Sequence, residues 1–401
     1  MNLTPVIGRV GLAAGLLGAV ALPGLAAAAP PAQAAPVGGF SLRAQSSVLS
    51  VELYEPTIPI PTEPQAELNL AYTRSTISTG PDGRGTASWL WPGDAVGDGF
   101  GIIVGDPDQK WPSQVNARTP DGEEKQELTP GSGMRTAATS GGVTAKVNLI
   151  GVSAPPDGAP GLPGLPAPPP GSVPVSPGMA VLATAEGVTS STAVTAKPGG
   201  VTATAHTAAK NIRLLGGLIT VETVDTSSTS GSTASSATAA GLATVTGVTV
   251  AGKKLGIDSR GVHLADQGAE LPGVPKQLAD QMKALGIEIS ALPTTRTVKG
   301  AAGSLATSGL VITVDTRPLR SKLDTSPLDP IIGLLPQELR DQLNLILGLG
   351  PKLVFTVGEA QSSAAATPPA PLPELPDDPG VPGGGAAPAG GVPAGGAAPG
   401  G

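Results

Sequence analysis

The sequence contains no cysteine. That excludes a disulfide framework, thiolate metal sites, a cysteine nucleophile and a lipid-modified N-terminal cysteine. Stability then has to come from packing. Aromatic residues make up only 2% of the chain and charged residues 14%. A core so poor in rings must be built from Val, Leu, Ile and Ala. A buried large aliphatic side chain contributes roughly 1.5–3 kcal/mol and Ala much less, so thin two-layer packing is favoured over one thick core. The net charge of −7 leaves no basic stripe along the sequence, which argues against nucleic-acid binding.

Long apolar runs are scarce as well. Beyond the N-terminal region the best candidate, Ile331 to Leu349, is interrupted by Pro336 and carries Glu338, Arg340 and Asp341. No stable transmembrane anchor is expected from it. A Gly-x-Ser-x-Gly elbow, a phosphate-cradling loop and a dinucleotide fingerprint are all missing. The wall-sorting pattern Leu-Pro-x-Thr-Gly is approached only by Leu372-Pro373-Glu374-Leu375-Pro376, which lacks the Thr and Gly. The expectation is therefore a non-enzymatic chain with no catalytic residue, no cofactor and no metal site.

The N-terminal segment, residues 1–34, reads as a secretory signal. Arg9 is the positive flank, Val10 to Leu25 the apolar stretch and Ala32-Gln33-Ala34 the small-residue exit. Retention of this segment as an anchor stays open beside cleavage after Ala34. The breaker residues, 57 Gly and 44 Pro, are concentrated in two places. Residues 154–178 should be an extended linker or exposed loop. Residues 361–401 form a Pro/Gly/Ala tail too poor in apolar surface to offset an ordering cost of about 1–2 kcal/mol per residue, and disorder is expected there.

Between these lie two β-rich blocks, residues 40–153 and 179–360. In the first, Leu68, Leu70 and Tyr72 alternate with Glu67, Asn69 and Ala71, and after Pro81-Asp82-Gly83 the alternation resumes from Thr86 to Trp91. This predicts a hairpin with Trp89 and Trp91 on one side. Upstream, the prolines of Tyr54 to Pro61 predict an edge or a surface crossing. The segment Tyr54 to Pro61 (Tyr-Glu-Pro-Thr-Ile-Pro-Ile-Pro), Pro64 to Leu68 and Ser88 to Asp94 resemble a recurrent set in uncharacterised secreted proteins of actinobacteria. The resemblance implies export and carries no activity.

In the second block, Thr and Val dominate strand candidates at Ala180–Ala185, Val201–Thr207, Leu218–Thr226, Leu242–Val250, Val262–Leu264, Leu310–Asp315 and Leu353–Val357, as a pleated half-buried surface prefers. Gly141-Gly142-Val143-Thr144-Ala145 recurs as Gly199-Gly200-Val201-Thr202-Ala203, which predicts duplicated strands or hairpins. Two amphipathic helices, Pro275–Leu285 and Pro336–Leu347, each open on Pro and stop at Gly. The expected fold is mainly β: antiparallel sheets, as a sandwich or open barrel-like, with two short covering helices.

Candidate chemistry is thin. Tyr72, Trp89, Trp91 and Trp111 could stack on sugar rings; the better reading is that they form the first block's core. Asp94, Asp98 and Gly99 fit three positions of a calcium loop. Val96 and Gly105 break that pattern, so solvated turns are preferred. His206 and His263 stand alone, without a carboxylate at ligand spacing. The expected role is a secreted or envelope-associated structural or binding protein, with cell-wall glycan or envelope lipid as partner. An apolar-ligand carrier and a glycan-binding module are the alternatives.

Overall fold

The computed structural model describes residues 37–55, 63–80, 82–154, 183–250, 252–258, 261–264, 286–315, 317 and 351–371. The expected signal, residues 155–178 of the linker, the helices Pro275–Leu285 and Pro336–Leu347, and residues 372–401 of the tail lie outside them.

The described chain is built almost wholly from strands. The first seven are β1 (Gly39–Tyr54), β2 (Ala66–Ser78), β3 (Asp82–Trp91), β4 (Gln114–Arg118), β5 (Asp121–Thr129), β6 (Ser132–Thr139) and β7 (Gly142–Ala154). Next come β8 (Ala183–Lys197), β9 (Gly200–Leu214), β10 (Ile219–Ser232), β11 (Ala237–Thr246), β12 (Val248–Val250), β13 (Lys253–Asp258) and β14 (Gly261–Leu264). The last are β15 (Ile287–Ala291), β16 (Thr294–Lys299), β17 (Ala302–Asp315) and β18 (Lys352–Thr367). Two single-turn helices, α1 (Asp94–Gly97) and α2 (Phe100–Val104), follow β3.

The strands form two antiparallel sheets that pack face to face. One runs β15-β17-β18-β1-β2-β3-β4 with β16 beside β17; the other runs β14-β13-β12-β10-β9-β8-β7-β6-β5 with β11 beside β10. Neither closes into a barrel. Both sequence blocks contribute to both sheets, because β18 returns from the far end of the chain to pair with β1 along almost its full length. That pairing carries the strand on to Thr367, so residues 361–367, expected to belong to the disordered tail, are instead held in the sheet by the ladder with β1. β1 is thus central and stops at Tyr54, just before the prolines, which at residues 56–62 lie outside the described chain. The repeated Gly-Gly-Val-Thr-Ala segments open β7 and β9, the return strands of two hairpins that lie side by side in one sheet.

A crease crosses each sheet. In the first it passes through Gly309, Gly358, Val48, Ala71 and Trp89, where the ladder is interrupted on five adjacent strands and then resumes in unchanged register. Ala71 has φ 53° and Gly358 φ 69°, a left-handed turn of backbone that reverses which side chains face inward. On β1, Leu42, Ala44 and Ser46 alternate as buried residues before the crease and Leu49 and Val51 face the core after it, with Ser47, Val48 and Ser50 also buried around the crease. The second sheet also reverses its inward face, at Gly187 (φ 54°) and Asn211 (φ 50°), but there the β8–β9 register shifts.

The crease divides two kinds of interior. On one side Leu49, Leu70, Leu310, Ile312 and Phe355 meet Ile212, Leu214, Ile219 and Val221 in an aliphatic core. On the other side Ala44, Ala203, Ala205, Ala360 and Ala364 pack with buried hydroxyls. There Ser46 Oγ lies 2.7 Å from Ser190 Oγ and 2.9 Å from Thr73 Oγ1, and Thr73 Oγ1 is 2.9 Å from Ser190 Oγ. Ser75 meets Thr192 at 2.9 Å, and Ser362 meets Ser228 and Ser230 at 2.6 and 2.8 Å. Serines reach each other directly only if the sheets stand nearer than the ~10 Å of ordinary stacked sheets. Small residues permit that approach, and the paired hydroxyls avoid the cost of burying unsatisfied groups.

Candidate functional site

The β2–β3 hairpin places Tyr72 and Trp91 on the outer face of the first sheet, stacked with centroids 5.2 Å apart and planes 2° from parallel. The chain then folds back as α1 and α2 and lays Phe100 edge-on against Trp111, at 5.3 Å and 88°. The four rings form a satellite core separate from the main one. Tyr72, Trp91 and Trp111 are 1%, 0% and 6% exposed, so none of them has a face open to a sugar. Trp111 donates its Nε1–H to Leu90 O at 2.7 Å and lies 2.6 Å from Ser113 Oγ. Trp89 does not join this cluster. The crease passes through it, so it packs partly buried against the aliphatic core while Trp91 faces the other way. The expectation that the two tryptophans share a side fails for that reason.

Arg74 ties α1 to the hairpin. It contacts Asp94 Oδ1 at 2.8 Å and both carboxylate oxygens of Asp98 at 2.9 Å. Its guanidinium carbon lies 6.0 and 5.7 Å from the Tyr72 and Trp91 ring centroids, within cation–π range. Trp91 Nε1–H also donates to Asp94 Oδ1, at 3.1 Å. Burial pulls the Arg74 pKa down, but Tyr72, Asp94 and Asp98 outweigh it and hold the group above its ordinary value. Burial likewise raises the Tyr72 phenol well above its usual range. Asp94, in the single turn α1, and Asp98, just after it, are half-exposed, and both carboxylates contact Arg74.

Beside α2, the folded-back segment and β4 leave an open groove of about 550 Å³. Asp108, Gln109, Gln114, Asn116 and Arg118 line it, and Ile102, 82% exposed, stands at its rim. The groove presents both donors and acceptors, and the buried ring cluster holds up one wall.

Beside Gly93, at the foot of α1, Glu52 and Glu67 are cross-strand neighbours. Tyr54 OH donates to Glu52 at 2.9 Å and Asn69 Nδ2–H to Glu67 at 2.6 Å. Burial, then the Glu52 hydrogen bond, push Tyr54 up to about 12. Burial raises Glu67 and Glu359, while Asn69 and Gln361 respectively oppose the rise through hydrogen bonds. Among the described residues no three His, Asp or Glu side chains are grouped to hold a metal ion.

His206 lies on the exposed face of the second sheet, 3.2 Å from Asp225. Ser191 and Ser227 are its cross-strand neighbours, but among the described residues neither hydroxyl is hydrogen-bonded to the ring, and the His206 and Asp225 side chains are exposed. His263 sits opposite Gly256 on β14. The acidic turns were legible in the sequence; their partner Arg74, on another strand, carried no local signal. No helix among the described residues is long and apolar enough to cross a membrane. In comparisons with known proteins, no family model, no curated protein and no solved structure matches the chain.

Proposed function

We propose that this protein is an exported, non-enzymatic scaffold of the cell envelope or extracellular space that holds a polar partner, such as cell-wall glycan, in the groove beside α2. One observation carries the reading: among the described residues the hydroxyls clustered between the sheets, Thr226 excepted, and the carboxylates of Asp94 and Asp98 are taken up by structural contacts. Serine and threonine hydroxyls bond one another between the sheets, and Asp94 and Asp98 neutralise Arg74. The groove offers amides, carboxylates and an arginine, a set that suits the many hydroxyls of a sugar polymer. A lipid carrier has less support, since the sheet interior is filled by side chains that meet across it.

The test is sedimentation of the purified protein with insoluble wall polysaccharide. Co-sedimentation that falls several-fold in Asn116→Ala/Arg118→Ala, with unfolding unchanged, supports the groove. Hydrolysis of a glycan or peptide library that is abolished by changing one carboxylate would overturn the non-enzymatic reading.

A further inference from the structure

The outer face of the second sheet carries a straight row of residues at right angles to its strands. Lys125 on β5 pairs with Arg135 on β6, and Arg135 with Lys146 on β7. The row continues through Ser191 on β8, His206 on β9 and Ser227 on β10. Lys125 and Lys146 are exposed, and the Arg135 side chain is 66% exposed. Residues paired across strands project from the same face, so three cations stand side by side at the ~4.8 Å strand spacing.

This arrangement is costly. Like charges directly opposite in a sheet are destabilising. The chain has 24 Lys and Arg against 31 Asp and Glu, so three adjacent cations run against its overall balance. Acidic neighbours offset the row in part: Glu123, 2.7 Å from Arg135, and Glu127 flank Lys125 along β5, with Asp121 further along the same face, and Asp225 holds His206. Packing gains nothing from the row, because the buried side chains of β6 and β7, Met134, Ala145 and Val147, point the other way.

We infer that the row Lys125–Arg135–Lys146, extended by Ser191 and Ser227, is a binding track for a linear acidic polysaccharide. Regularly spaced cations match repeated carboxylates, and the hydroxyls further along match sugar hydroxyls. A row six strands long on an open sheet face fits an extended polymer better than a compact ligand. This track is separate from the groove beside α2, so either can fail without the other.

The experiment is affinity electrophoresis of the purified protein through gels containing polygalacturonate, with neutral dextran, polyphosphate and anionic phospholipid vesicles as parallel probes. Retardation by polygalacturonate that fades with added salt is expected. Lys125→Gln and Lys146→Gln should each weaken it about two- to fivefold, the range of an exposed ion pair. Lys146→Gln should not unfold more easily than the parent, because it removes a repulsion, and Lys125→Gln should change stability little, because Arg135 and the acidic residues of β5 act on Lys125 with opposite signs. Equal retardation by dextran, capture by polyphosphate or vesicles but not by polygalacturonate, or unaltered binding in the double variant would overturn the assignment.

Discussion

Gly358 and Val224 meet across the two sheets so closely that a β-carbon on the glycine would overlap the valine Cγ2; on the neighbouring strand, Gly309 offers only 2.7 Å to the same methyl. Gly358 also sits at φ 69°. Gly358→Ala should therefore destabilise the protein by about 2–4 kcal/mol, from the left-handed backbone and the overlap together. Val224→Ala in the same chain should restore part of that loss. Urea unfolding of the single and double variants measures both.

Ala71 marks the crease on β2 at φ 53° and is fully buried. Valine has the higher strand propensity, yet Ala71→Val should cost more than about 2 kcal/mol, because a branched β-carbon is strained in this conformation and the site is already filled. An Ala71→Val variant as stable as the parent would show that the crease is absent in solution.

Ser190 bridges Ser46 and Thr73. Ser190→Ala should cost about 1–3 kcal/mol, since two buried hydroxyls lose a partner. Replacing all three with Ala, Ala and Val should cost less than the sum of the single changes, because no unsatisfied group remains. Thermal or urea unfolding of the full set decides the matter.

Trp111→Ala should lower stability by about 3–5 kcal/mol, as expected for removing a buried ring. Asp98→Asn should cost under about 1 kcal/mol, because that carboxylate is 55% exposed and Asp94 still holds Arg74. Near-equal effects would show that the ion pair, rather than ring packing, secures α1 and α2.

Glu359 sets a pH dependence. Burial raises its folded pKa above the ordinary 4.5, against a hydrogen bond from Gln361. Below 4.5 both folded and unfolded chains hold the proton, and the group costs nothing. As pH rises past that value the unfolded chain ionises first, so stability falls until the raised folded value is passed. Glu359→Gln should match the parent near pH 4 and unfold at higher temperature at pH 8. A difference of the same size at both pH values would contradict this.

Local alternation was enough to specify the mainly β fold, the β2–β3 hairpin and the paired Gly-Gly-Val-Thr-Ala hairpins, because a two-residue period and a turn are properties of neighbours in the chain. The acidic residues at Asp94–Asp98 and the concentration of rings in the first block were visible in the same way, although the segment is the single helical turn α1. Tertiary structure alone decided where the inward face reverses, and so why Trp89 parts from Trp91. It alone placed Ser46 against Ser190, set Arg74 between two aspartates, and aligned Lys125, Arg135 and Lys146 into one row. Each of these depends on which strand lies beside or above which, a choice made by long-range register and by the packing of one sheet on the other.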